Sequence, residues 1–365
     1  MMKKILMILA LMGTLTAEAQ RMDDVTEHSK YIKVVDEYVP APGQFINTMP
    51  PYEEGDDAYK MAQKCTECLA NNKKDMVCLG GYGGYITFHF DHSIANVKGQ
   101  KDVLILGNCT FENNSEPGIV MASKDVNNNG LPDDPWYELK GSADVDSVGK
   151  VVYGYSITYS RPITEEYDGK ASEISKDITI EKYIPWTDNK GGAGYMHKNR
   201  YHEQTYYPQW VSENQITFGE QTLLPRNATN TGSYTQENWL LKSLAWGYVD
   251  NKPNADQDAS SFDFDNAVEV VSRTPVEIDF VDFIRVYTGI NQDCGWIGET
   301  STEITGAEDL HLDTSIQKIK DALAGVESIK KETTINGELY DLQGRKIKAP
   351  GKGLYIKNGK KYIIK

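Results

Sequence analysis

The clearest hydrophobic signal along this chain has a period of two. Between Tyr85 and Phe90, Ile86, Phe88 and Phe90 face one way and Tyr85, Thr87 and His89 the other, the alternation of a half-buried strand. Val103 to Leu106 is a continuous apolar run, and Ile119 to Ser123, Trp136 to Leu139, Tyr153 to Tyr159 and Phe280 to Tyr287 read as further strands bounded by turn residues. Their spacing predicts an antiparallel sandwich and not a βαβ sheet. One segment keeps a different period: from Asp56 to Leu69, Met61, Cys65 and Leu69 recur every four residues, which predicts a single N-terminal helix. Ahead of it, Met22 to about Gly55 is Pro-rich and predicts an irregular arm laid over the core. Gly80 to Gly84 opens a strand without the Lys-Ser/Thr and helix of a phosphate loop, so these glycines predict close backbone packing.

The stretch 161–279 is rich in Tyr, Trp, Asn and Gly and is too long to be one loop, so it predicts an insertion of further strands decorating the sandwich or forming a second lobe. Thr314 to Leu323 places Ile316, Ile319 and Leu323 on one face of a short helix, followed by a polar linker. Leu339 to Ile347 and Gly353 to Lys365 predict strands, the latter turning at Asn358-Gly359. The organisation expected is a leader at 1–19, a body at 20–313, a helix and linker at 314–335 and a small β module at 336–365.

The leader follows from Lys3 and Lys4, the apolar run Ile5 to Met12, and Ala17-Glu18-Ala19 before Gln20, the three parts of a secretory signal peptide. No Cys follows the apolar run until Cys65, which argues against a lipid anchor, and no other segment approaches the roughly 18 apolar residues of a membrane span. The net charge is -15, although the last thirty residues carry eight Lys/Arg against two acids, so the body is more acidic than the total. Such a body repels phosphates and disfavours nucleic acid binding. Five cysteines, Cys65, Cys68, Cys78, Cys109 and Cys294, leave at least one unpaired within a monomer; Cys65 and Cys68 form a CxxC that reads as buried thiols or a simple disulfide before redox chemistry, with no second CxxC for zinc.

Candidate metal chemistry centres on Asp125-Val126-Asn127-Asn128-Asn129-Gly130-Leu131-Pro132-Asp133-Asp134. A calcium ion wants six to eight oxygens, and here Asp125, Asn127 and Asn129 stand two residues apart, Gly130 permits a sharp turn, Leu131 offers a carbonyl and Asp133 holds the ninth place. The twelfth place is Trp136 where a helix-loop-helix site has a bidentate Glu, and Pro132 argues against a flanking helix. The expectation is a structural calcium loop between strands, with Asp134 or Glu138 as further ligands. The competing expectation is an Asn-rich turn satisfied by its own hydrogen bonds.

No catalytic constellation stands out. There is no Gly-x-Ser-x-Gly elbow, Cys294-Gly295-Trp296 lacks a thiol-protease signature, and His89, His92, His197, His202 and His311 are scattered, so hydrogen-bonded or solvated histidine is the expectation. Asp250, Asp263, Asp265 and Glu299 lie in Asn/Asp/Gly-rich loops, where acids cap turns or bind structural cations more often than they act as glycosidase pairs. The aromatic residues are the stronger lead. Trp186, Tyr207 and Trp210 are the expected surface platform, because flat rings flanked by amides suit a sugar or a corrin plane; the alternative is that they form the insertion's own core.

Two resemblances extend this reading. "YDLQGRK" and "GLYIKNGKKYIIK" closely resemble the C-terminal sorting domain of type IX secretion substrates, which implies export across both membranes. "LGGYGGYITFHFDHSIAN", "SEPGIVMASKDVNNNGLPDDPWYELKGS", "WGYVDN", "FDFDNAVE", "FIRVYTGI" and "CGWIGETSTEITGAEDL" resemble a family of bacterial exported cell surface proteins, and "EPGIVMASKD…WYEL" with "FIRVYTGI" is similar to the galactose-binding-like jelly roll. The enlarged Asp125 to Asp134 turn departs from discoidin-like modules, so their sugar-binding residues are not carried over. Members of the surface family tend to sit beside outer-membrane corrinoid uptake components. The resemblance thus implies a mainly β jelly-roll sandwich at the cell surface, capturing a corrinoid beside uptake or secretion machinery, and the aromatic residues add a glycan as the other expected ligand. A carbohydrate-active hydrolase and a structural or adhesive surface protein remain the alternatives.

Overall fold

The computed structural model describes residues 28–145, 151–224 and 226–312, together with four strands of the C-terminal unit at 339–340, 346–347, 353–357 and 360–364. The chain is mainly β and its sheets are antiparallel. In chain order the first strands are β1 (Val34–Val39), β2 (Val77–Cys78), β3 (Tyr85–Ala95), β4 (Val103–Leu106), β5 (Gly118–Ser123) and β6 (Trp136–Leu139). Next come β7 (Val152–Ser160), β8 (Ile178–Asp188), β9 (Ala193–Asn199), β10 (Gln215–Leu223), β11 (Ala228–Asn230) and β12 (Trp239–Leu241). The body closes with β13 (Ser261–Phe262), β14 (Ala267–Glu269), β15 (Phe280–Thr288), β16 (Glu303–Ile304) and β17 (Gly306–Asp309).

A six-stranded sheet in the order β1-β3-β15-β5-β6-β14 forms the centre, and a three-stranded sheet, β13-β4-β17, belongs to the same body. Val120, Ala122, Ile284 and Val286 of the central sheet share a core with Val103 and Ile105 of β4 and with Met61, Cys65 and Leu69 of the helix α1 (Ala58–Leu69). This is the expected sandwich with its one N-terminal helix. Asp57 caps that helix by accepting from the Lys60 N–H at 2.8 Å. The predicted face Met61-Cys65-Leu69 is buried.

The opposite face of the central sheet is covered as well. Ile119, Met121 and Tyr287 point away from the first core into a second one with Tyr155, Ile157, Tyr159, Tyr183, Ile184 and Phe218. These come from the four-stranded sheet β10-β7-β8-β9. The insertion is therefore a third layer packed on the sandwich and not a separate lobe, and it begins at β7, earlier than expected. The segment Tyr153 to Tyr159 alternates as predicted but joins the insertion's sheet, pairing Ile157 with Phe218 of β10 and Tyr159 with Trp186 of β8. Alternation reports that one face is buried, not which sheet a strand joins.

Gly80 to Gly84 sit where three backbone segments converge. A Cβ on Gly84 would stand 2.0 Å from the Leu79 carbonyl oxygen and 2.3 Å from the Ala41 nitrogen. Gly80 combines a φ of +71° with the Ala41 carbonyl 2.1 Å from any Cβ. Both contacts are with backbone, which cannot swing aside.

The chain divides into two compact units, Met1–Leu312 and Asp313–Lys365. The second contains a four-stranded antiparallel sheet of β18 (Leu339–Tyr340), β19 (Lys346–Ile347), β20 (Gly353–Lys357) and β21 (Lys360–Ile364), in the order β19-β18-β20-β21. Lys357 pairs with Lys360, but Asn358-Gly359 between them, the expected helix at Thr314 to Leu323 and the leader lie outside the described residues. Gly84→Ala is expected to destabilise the body by roughly 3 kcal/mol or more. Denaturant unfolding checks this, and an unchanged midpoint would show that the backbone there can yield.

Candidate functional site

The Asp125 to Asp134 loop joins β5 to β6, which pair through Ser123 and Trp136. Its side-chain oxygens are oriented by backbone N–H groups of the loop itself. Asp125 Oδ2 accepts from Gly130 at 2.8 Å, Asn127 Oδ1 from Asn129 at 2.9 Å and Asn129 Oδ1 from Leu131 at 2.8 Å. Asp134 Oδ2 accepts from Val126 at 2.9 Å, and Asp133 receives the amide groups of Asn127 and Asn129 at 3.1 and 3.0 Å. Asn128 and Gly130 take positive φ values of 55° and 72°, as a tight turn of this length demands. The loop is tethered to the sheet by the Asp125 N–H, which donates to buried Asp282 at 2.7 Å. This arrangement suits a hard cation and equally suits a self-satisfied Asn turn, since the same oxygens serve both.

Glu138 does not belong to that loop. It is buried on β6, accepts from Thr222 at 2.8 Å and pairs with Arg273 at 2.9 Å, facing the insertion. Burial raises its carboxyl and Arg273 opposes that rise. Its partners Thr222 and Arg273 lie outside the Asp125 to Asp134 loop.

The three rings expected as a platform do not form one. Tyr207 is 1 % exposed, its hydroxyl donates to the Glu213 carbonyl at 3.0 Å and Arg161 covers its ring at 4.2 Å. Trp210 stacks on Tyr38 and Tyr52 with centroids 5.8 and 6.2 Å apart, partly buried against the inner core. Trp186 is partly buried in the outer core, lying across Gly194 of the neighbouring strand, where a Cβ would meet the indole at 2.6 Å. In the insertion, ring faces are first consumed by packing between layers.

A different pair is exposed. Tyr201 is 52 % and Trp296 41 % exposed, their rings meet edge to face at 6.2 Å, and the Arg200 guanidinium lies 4.9 Å from the Tyr201 ring. Amides beneath them hold both loops. Asn199 Oδ1 accepts from the Tyr201 N–H at 2.9 Å and its Nδ2 donates to the Trp296 carbonyl at 3.3 Å. Gln44 accepts from Asn199 at 2.9 Å and donates to the Ile297 carbonyl at 2.6 Å. Trp296 stands on the short turn Gly295–Ile297, whose flanking Gly295 and Gly298 have φ of 61° and 97°, and its N–H donates to Glu237 at 3.0 Å. The sequence signal was Gly-Trp-Ile-Gly, a ring on a turn that glycines force outward. It falls outside the aromatic-rich insertion at 161–279, where rings are densest along the chain.

Three carboxylates from distant segments meet below this region. Ligand oxygens of Glu116, Asp250 and Glu303 lie within 4.8 Å of one another. Asp250 Oδ1 accepts from the Asn108 and Cys109 N–H groups at 2.7 Å each and its Oδ2 from the Glu303 N–H at 3.0 Å. Glu303 accepts from the Ser301 hydroxyl at 2.8 Å and Glu116 from the Ser301 N–H at 3.1 Å. Burial first, then mutual repulsion, pushes Glu116 and Glu303 well above the usual carboxylate range, and burial brings Asp250 to about 6. Nearby Glu299 is fully buried, with one oxygen accepting from the Gln44 N–H at 2.8 Å and the other without a hydrogen-bond partner. The other acids singled out in loops have turn roles: Asp263 caps Asp265 at 2.8 Å, and Asp265 accepts from the Gly99 N–H at 3.0 Å.

His89 and His197 are paired with Asp36 and Asp293 at 2.8 and 3.0 Å. All five cysteines are free thiols, and burial raises those of Cys65 and Cys68. Among the described residues, no helix is long and apolar enough to cross a membrane. A scan against protein-family models and a search of curated proteins each give no match.

Carboxyls that bind protons more tightly in the folded chain contribute stability below the unfolded carboxylate range and lose it as pH rises through their folded values. In chelator, the melting temperature is therefore expected to fall as pH rises from about 4 through about 6, where Asp250 ionises, and to go on falling above that as Glu116 and Glu303 ionise. Glu116→Gln keeps the acceptor for Ser301 and should flatten that slope. A wild-type melting temperature that climbs across the window would contradict the assignment.

Proposed function

We propose that this chain is an exported, calcium-stabilised, non-catalytic binding protein that captures a small ligand, a glycan or a corrinoid, at the cell surface. The observation that carries the reading is the exposed Tyr201–Trp296 pair, held by buried Asn199 and Gln44. Rings fixed before the ligand arrives lose little freedom on binding, and an exposed ring face beside Arg200, with the second ring set against it edge to face, fits the edge of a sugar ring or a corrin with polar groups at its rim. The leader and the tail phrases support export by the type IX route, and the oriented oxygens of Asp125, Asn127, Asn129 and Asp133 support calcium in the β5–β6 loop, with Asp134 and the Leu131 carbonyl completing the set.

Calorimetry against cobalamin and a glycan panel, with calcium present, should find a ligand whose affinity falls about tenfold or more in Trp296→Ala, equivalent to about 1.4 kcal/mol. Binding unchanged by that substitution would move the site elsewhere, and no binding to either class would sink both ligand proposals. Calcium should raise the melting temperature of chelator-treated protein, by about 2.7 kcal/mol of stability at one hundred times its dissociation constant. Asp125→Ala should abolish that response, and a wild-type melting temperature indifferent to chelator would count against the metal.

A further inference from the structure

A further set of metal-ligating groups lies where the chain enters the sheet. Asp91 and His92 are consecutive on β3, so in a regular strand they would point to opposite faces. Here β3 is irregular: His89 pairs with Phe283 and Ile94 with Val281, so five steps along β3 match two along β15. The bulge brings both side chains to one place, a common device for re-aiming residues beside a site. His28, from the segment preceding β1, closes over them.

His92 is buried and wedged between two carboxylates. Its Nδ1 is 2.7 Å from Asp91 Oδ1 and its Nε2 is 2.7 Å from Asp309 Oδ2, whose side chain is fully buried on β17. His28 Nδ1 lies 3.4 Å from the same Asp91 oxygen, buried and without a hydrogen-bond partner, and the two imidazole rings are 4.9 Å apart. His28 Nδ1 therefore looks at a carboxylate oxygen that it does not bond. One nitrogen of each imidazole and one Asp91 oxygen all stand within 4.8 Å of one another.

We infer that His28, Asp91 and His92 form a binding site for a divalent transition cation of the zinc class, with Asp309 as the group that orients His92. Two imidazole nitrogens and one carboxylate oxygen are borderline-soft donors, unlike the all-oxygen set that calcium prefers. Tetrahedral coordination at about 2.1 Å spaces ligand atoms by roughly 3.4 Å, which the His28–Asp91 separation of 3.4 Å already meets. The 2.7 Å between His92 and Asp91 needs only a small opening for an ion to replace a shared proton. With Nε2–H donated to Asp309, the His92 Nδ1 lone pair is left facing Asp91 and His28, the carboxylate–histidine–metal relation found around protein zinc. Asp91 is otherwise held by the Ser29 N–H at 3.0 Å, so the ion would bind the segment carrying His28 and Ser29 onto β3. Three protein ligands and a partly exposed rim leave the fourth position to water or an incoming donor.

The test uses the untagged mature chain, stripped by chelator and then saturated with calcium. Equilibrium dialysis with zinc should retain one zinc per chain, and cobalt(II) should give the visible bands of a four-coordinate nitrogen and oxygen site. His28→Ala should weaken zinc at least tenfold while keeping the metal-free circular dichroism, Asp309→Asn should weaken it less, and Asp125→Ala should leave it unchanged. The cobalt spectrum of the unaltered protein keeps the proposal testable should a variant fail to fold. No retained zinc, equal retention by His28→Ala, or nitrogen NMR showing both His92 ring protons in place with zinc present would overturn it.

Discussion

The ladder between β15 and its neighbours β3 and β5 is the constraint on which the rest of the body depends. It places apolar side chains on both faces of one sheet at once: Ile284 and Val286 enter the core shared with β4 and α1, while Tyr287 enters the core shared with the insertion. A sheet covered on both faces has no solvent side on which to leave polar side chains, so each polar group there must find a partner inside the protein. Arg285 shows the solution. It donates to Thr87 at 2.9 Å and to Glu37 at 2.6 Å, and its guanidinium carbon lies 4.4 and 4.2 Å from the ring centres of Tyr85 and Trp136.

The same requirement separates structural acids from candidate sites. Glu138 is buried between the layers, but Arg273, Thr222 and Tyr287 satisfy it, so breaking that set would leave an uncompensated charge without creating a function. Glu116, Asp250 and Glu303 have hydrogen bonds from backbone, hydroxyl and amide groups, and among the described residues no lysine or arginine forms a salt bridge with them. Buried acids in that condition are held by protons or by a cation. The group formed by His28, Asp91, His92 and Asp309 differs again, because its imidazoles favour a softer ion than those oxygens do.

Packing also explains where an exposed ring can survive. The insertion must cover the outer face of the central sheet, and its tyrosines are drawn inward to do so: Tyr183, Tyr206 and Tyr207 are buried. Some rings left outside stand on strands, Tyr153 on β7 and Tyr195 on β9, whereas Tyr201 after β9 and Trp296 on its glycine-flanked turn stand on loops fixed by an amide network. The proposed recognition surface is thereby held in place without belonging to the core.

The sequence by itself determined the elements and the tight local geometry. Alternation located the strands, the four-residue recurrence of Met61, Cys65 and Leu69 located the helix, the glycines at 80–84 announced a backbone crossing, and the Asp/Asn spacing from Asp125 announced a loop whose oxygens point inward. Each of these is set by contacts between residues close in the chain, or by a backbone that tolerates no Cβ. The tertiary structure alone decided that β7 joins the insertion, that Tyr207 loses both faces, that Glu138 takes its partners outside the loop, and that Glu116 meets Asp250 and Glu303 or His28 meets Asp91 and His92. The reason is physical: period-two patterning says that a face is buried, while its partner is chosen by ladder hydrogen bonds and side-chain packing between segments far apart in the chain.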